Sequence, residues 1–115
     1  MADVGPLVIS VSDLRDAMGR VLDAVERKYG ASIDLDADHY WSLGPAECFD
    51  LTRDPEIETG QISDDVKTVQ EILSPEHEHE LFIWHDLEHL TGILCRLSAL
   101  DSPLQAHEMR QSYDE

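Results

Sequence analysis

From Val11 to Tyr29 the apolar residues Val11, Leu14, Met18, Val21, Leu22, Val25 and Tyr29 fall on one stripe at helical spacing. Ser10, with Asp13 three residues later, resembles a capping box, and Gly30 stands where a left-handed cap belongs. Arg15, Arg20, Glu26 and Arg27 mark the opposite face as solvated. The pattern then changes. Ile33, Leu35 and Ala37 alternate with Asp34, Asp36 and Asp38, the period of a short half-buried strand. Pro45 can open a helical turn through Phe49, and Pro55 and Gly60 punctuate a loop. A second helix opens at Ser63, whose hydroxyl can cap it, with Asp64 and Asp65 in its first turn. Ile62, Val66, Val69 and Leu73 supply its apolar face. A third carries Ile83, Leu87, Leu90, Leu94 and Leu97, widened by Ile93 and Leu100. Its start lies between Pro75 and Leu81, and Pro103 stops it.

These elements predict a mainly α fold. Three helices surround one Leu/Val/Ile core, with a short β or irregular insertion between the first and second. One domain over residues 1–115 is expected, with an ordered core near 8–100 and a frayed tail at 101–115. Tyr40, Trp41 and Trp84 are expected in the core.

Charge narrows the function classes. The 115 residues carry 25 acids and 8 bases, a net of −17. Residues 1–30 hold five acids and four bases, a net of −1, which leaves −16 for residues 31–115. Nucleic acid needs cations to displace its counterions, and an anionic membrane surface needs the same, so neither is expected as a partner. A basic protein surface is the natural complement. No apolar run reaches the ~20 residues of a membrane span, and Met1–Leu7 lacks the features of a signal peptide. Cys48 and Cys95 form no CxxC pair, so reduced thiols and a cytoplasmic location are expected.

Several residue sets could carry chemistry. His85 and His89 stand four apart in H-D-L-E-H, which places both imidazoles on one side of a helix, as a two-histidine metal site requires. Glu78 could join them as a third ligand if the helix reaches back that far. Arg96 falls near the same column, where a fixed cation would repel a metal, so an ordinary helix face is preferred. Asp34, Asp36 and Asp38 open like a calcium loop. However, His39 replaces the turn glycine and Pro45 the bidentate glutamate. As a strand, the same three carboxylates form an anionic row. Asp86 projects onto the edge of the third helix's apolar stripe and needs a partner, for which His89 is the candidate. No G-x-S-x-G and no glycine-rich phosphate cradle is present, so neither an enzyme nor a cofactor is expected.

The runs D-L-D-A-D-H-Y-W (Asp34 to Trp41), G-Q-I-S-D-D (Gly60 to Asp65) and D-L-E-H-L-T-G-I-L (Asp86 to Leu94) together resemble a group of short, acidic bacterial proteins of uncharacterised function. The similarity spans about Val8 to Leu97. It implies a bacterial, cytoplasmic protein and brings no activity, cofactor or catalytic residue.

The function expected from the sequence is therefore non-enzymatic. An acidic binding protein occupies a basic surface on a macromolecular partner, in the manner of inhibitors, immunity proteins or nucleic-acid mimics. Asp34, Asp36, Asp38, Asp64 and Asp65 form the expected contact surface. The alternatives are a small metal protein using His85, His89 and Glu78, and a scaffold subunit. In the latter, Gly92 marks a close helix contact within an oligomer, a homo-oligomer being one option.

Overall fold

The computed structural model describes residues 7–75 and 81–103. In chain order its elements are α1 (Val11–Tyr29), β1 (His39–Ser42), α2 (Pro45–Cys48), β2 (Glu58–Gln61), α3 (Ile62–Leu73) and α4 (Ile83–Asp101). The protein is mainly helical, with one small antiparallel sheet. The chain divides into two compact units, Met1–Asp34 and Leu35–Glu115. Among the described residues the first unit contains one helix, α1, and the second contains the other elements.

Helix α1 forms as its pattern requires. The Asp13 amide donates to Ser10 Oγ at 3.2 Å, and Gly30 closes the helix at φ 98° with its amide on the Glu26 carbonyl. No residue of α1 is buried. The expected core of three helices is not confirmed.

In the second unit α3 packs on α4, and β2 leads directly into α3. The strand expected across Ile33–Asp38 is absent, and the first strand begins at His39. The backbone explains the shift. Asp36 adopts φ 51°, a left-handed conformation that an aspartate tolerates but an extended strand excludes. The carbonyls of Leu35 and Asp36 accept from the Arg96 guanidinium at 2.6 and 3.3 Å. Asp38 in turn starts α3. Its carbonyl accepts from the Ile62 amide at 2.6 Å and its Oδ1 from the Ser63 amide at 2.9 Å. A carboxylate from 25 residues upstream thus does the capping expected of the Ser63 hydroxyl. These hydrogen bonds hold the Asp38 carboxyl below its usual range. The stability it lends is present above the ordinary aspartate pKa and lost as pH falls.

The sheet sets Tyr40 against Gly60 and Trp41 against Thr59. Gly60 is required there, because a Cβ would come within 2.5 Å of the Tyr40 ring. Among the described residues Ile62 is the one buried hydrophobic side chain. The remaining buried residues of α3 and α4 are Asp65, Thr68, Asp86 and Gly92. The apolar stripe expected to line a core on α4 faces outward in its first half: Ile83, Trp84 and Leu87 are exposed. Trp41 is exposed as well, so both tryptophans lie outside the expected core. Helix α4 begins at Ile83 and runs to Asp101, two residues before Pro103. Most of the tail expected to fray, from 104 onward, lies outside the described residues.

Candidate functional site

Three side chains from three elements meet where α3 packs on α4. Asp65, in the first turn of α3, is 1% exposed and engages both carboxylate oxygens. The Tyr40 hydroxyl, from β1, donates to Oδ2 at 2.7 Å. His89, on α4, places Nδ1 2.6 Å from Oδ1. An ionised carboxylate only accepts, so His89 Nδ1 is the donor in this contact. Among the described residues no buried side-chain polar atom lacks a hydrogen bond. Gly92 completes the arrangement. It lies one turn beyond His89, and a Cβ there would collide with Asp65 Oδ2 and the Tyr40 hydroxyl.

Burial, the Asp65 hydrogen bond and the Asp65 charge, with Glu88 adding to them, push the Tyr40 phenol well above its usual range. A proton held more tightly in the folded state contributes stability that is complete below the ordinary tyrosine pKa. That contribution is lost as pH rises past it. Tyr40→Phe should therefore flatten the alkaline limb of the stability profile. The urea midpoint of wild type should fall more steeply between about pH 9 and about pH 11.5 than that of the variant. Parallel curves would show that the hydroxyl is as free to ionise in the fold as outside it.

The network borders a concavity of about 350 Å³. Glu58, Asp64, Asp65 and Glu88 contribute to its wall, with His39 and His89, and no lysine or arginine does. Chemically its carboxylates make it mainly an acceptor surface.

Comparison with known protein families, curated proteins and solved structures finds no match.

The structure redistributes the residues singled out from the sequence. Asp65, expected on an open contact surface, is interior and committed to Tyr40 and His89. Asp38 is exposed but engaged at the start of α3, and with the strand absent the anionic row Asp34, Asp36, Asp38 does not form. Asp64 remains exposed and lines the concavity.

The rings of His85 and His89 touch edge to face, with centroids 4.6 Å apart. Each Nδ1 is directed at a carboxylate, His85 at Asp86 (3.4 Å) and His89 at Asp65 (2.6 Å). The partner expected for Asp86 was His89; Asp65 has taken that imidazole instead. Glu78 lies outside the described residues, among which no three metal-ligating side chains gather. Arg96 is occupied with the Leu35 and Asp36 carbonyls. Gly92, expected at a contact between copies, is buried against Asp65 and Tyr40 of its own chain.

Sequence reasoning passed over Tyr40, Glu58 and Glu88. Tyr40 and Asp65 are 25 positions apart, and Asp65 and His89 are 24 apart. No local period connects them. The available clue was Asp65 itself, a carboxylate three residues from both Ile62 and Thr68 on the face that becomes buried.

Proposed function

We propose that this chain is a non-enzymatic acidic binding protein that seats a basic surface of a macromolecular partner. The observation that carries the reading is the concavity beside Asp65, walled by Glu58, Asp64 and Glu88 without a single lysine or arginine. An ammonium or guanidinium group brings only donors, and this wall offers acceptors. Asp65 fixes the His89 ring at the edge of this wall through Nδ1. The net charge of −16 over residues 31–115 adds long-range attraction, which speeds encounter with a cationic partner. Exposed Ile83, Trp84 and Leu87 supply apolar contact area of the kind that anchors interfaces. No helix among the described residues is long and apolar enough to cross a membrane. Both cysteines are free, which suits a reducing compartment such as the cytoplasm.

The partner is captured from the native host, and its association rate is measured across salt concentrations. The rate should drop steeply as salt rises while dissociation changes little. Glu58→Gln, Asp64→Asn and Glu88→Gln combined keep side-chain size and spare Asp38 and Asp65, which the fold needs. This variant should slow association about tenfold at low salt. A wild-type rate in the variant would remove the concavity as the contact surface. Capture of a nucleic acid, or of a metal alone, would reject the reading.

A further inference from the structure

His85 and His89 stand one turn apart on α4, with side chains 45% and 24% exposed. Their rings meet edge to face, centroids 4.6 Å apart. Each ring is held through the same atom. Nδ1 of His85 lies 3.4 Å from Asp86 Oδ1, and Nδ1 of His89 lies 2.6 Å from Asp65 Oδ1. Both carboxylates are buried. Among the described residues neither Nε2 takes part in a hydrogen bond. A carboxylate on one ring nitrogen is the usual support of an imidazole that binds metal through the other. It fixes the ring and raises the basicity of the far nitrogen.

We propose that His85 and His89 together bind one divalent metal ion of borderline softness, the Zn²⁺ and Ni²⁺ class, through their Nε2 atoms. The spacing suits such an ion. A metal about 2 Å from each Nε2 stands roughly 3.2 Å from each ring centre, so centroids 4.6 Å apart subtend about 90° at it. The charge suits it as well. Residues 31–115 carry a net −16, and Asp65 and Asp86 place two carboxylates directly behind the rings. Arg96, the cation that would oppose a metal on this helix, spends its guanidinium on the Leu35 and Asp36 carbonyls. Imidazole selects this class over Mg²⁺ and Ca²⁺, which prefer oxygen. Among the described residues no third ligating side chain gathers, so water completes the coordination. The dissociation constant is then on the order of 10 μM, far weaker than a closed four-ligand site. The proposal does not rest on a basic partner at the concavity, and either can fail without the other.

Calorimetric titration of the full chain with Zn²⁺ tests it. Both exposed thiols are first removed by Cys48→Ser and Cys95→Ser, so that neither competes for the ion. One ion per chain should bind. His85→Asn and His89→Asn each keep a side-chain N–H near the place of Nδ1 and delete Nε2. Each should weaken binding about tenfold or more. Urea midpoints without metal report whether the fold is kept. Where His89→Asn lowers that midpoint, His85→Asn decides alone, because its ring is the more exposed. His77→Asn with His79→Asn removes the chain's other closely spaced pair and should leave affinity within about twofold. Paramagnetic Ni²⁺ should broaden the ring-proton NMR signals of His85 and His89 before those of His39. No uptake of Zn²⁺ at millimolar concentration overturns the proposal. So does wild-type affinity in His85→Asn, or loss of binding only when His77 and His79 are replaced.

Discussion

Asp65→Ala should destabilise the second unit by about 2–4 kcal/mol, because it strands two donors that the fold has already taken from water. The Tyr40 hydroxyl and His89 Nδ1 both end on this carboxylate, and Asp65 itself is 1% exposed. Alanine supplies no acceptor and leaves the space beside Gly92 unfilled. His89 retains partial contact with solvent, so its share of the loss is the smaller. Tyr40→Phe should cost about 1–2 kcal/mol, since one carboxylate oxygen keeps its partner. Asp65→Asn should fall between the two, because one amide oxygen still accepts while the NH₂ meets a donor. The double variant Asp65→Ala with Tyr40→Phe separates a network from two independent contacts. Once the acceptor is gone, removing the hydroxyl should cost little or even relieve the loss, giving a coupling of about 1 kcal/mol or more. These quantities are read as urea midpoints at constant m-value. Additive losses would mean that Tyr40 and Asp65 do not depend on each other.

The same carboxylate shows where sequence reading ends. Helix α1 was legible down to its caps, because Ser10, Asp13 and Gly30 act on their own neighbours. The turn at Pro45, the body of α3 and the stop before Pro103 were legible for the same reason, whereas the cap of α3 comes from Asp38, 25 residues upstream. The inward face of α4 was not. Its apolar period pointed to Ile83 and Leu87 as core, whereas Asp86 and Gly92 are the buried residues. A period reports which side of a helix is apolar and assumes that side is covered within the chain. Here α3 docks through a polar contact, Asp65 with His89, and much of the apolar side of α4 stays exposed.

Alternation misled at Ile33–Asp38 for a related reason. It counts side chains, while a strand also requires backbone partners, and Arg96 with Ile62 took the carbonyls first. Arg96 acts across 61 positions, beyond the reach of any local rule. The acidic residues divide by the same logic. Asp64 and Asp65 are adjacent and chemically identical, yet one is exposed at the concavity and the other closes the interior. The rotation between consecutive helical residues decides which role each takes, and only the docking of α4 fixes the zero of that rotation.

Gly92→Ala should show that docking as an inversion of sign. In the interior of an ordinary exposed helix, replacing glycine by alanine stabilises by about 1 kcal/mol, because the unfolded chain has less freedom to lose. At position 92 the added methyl meets Asp65 Oδ2 and the Tyr40 hydroxyl, the two atoms of the 2.7 Å arm of the network. Neither can retreat cheaply. Asp65 is held by His89 on its other oxygen, and the Tyr40 ring already lies across Gly60. The helices must separate or the hydrogen bond must break, and either route should cost about 1–3 kcal/mol after the helix-propensity gain is subtracted. Gly19, in α1, provides the internal control: a Cβ there meets nothing within 4 Å, so Gly19→Ala should raise the midpoint. Combining Gly92→Ala with Tyr40→Phe removes one of the two obstructing atoms and should recover part of the loss. If Gly92→Ala stabilises the protein as Gly19→Ala does, α3 and α4 do not approach at this point, and Asp65 is not sealed between them.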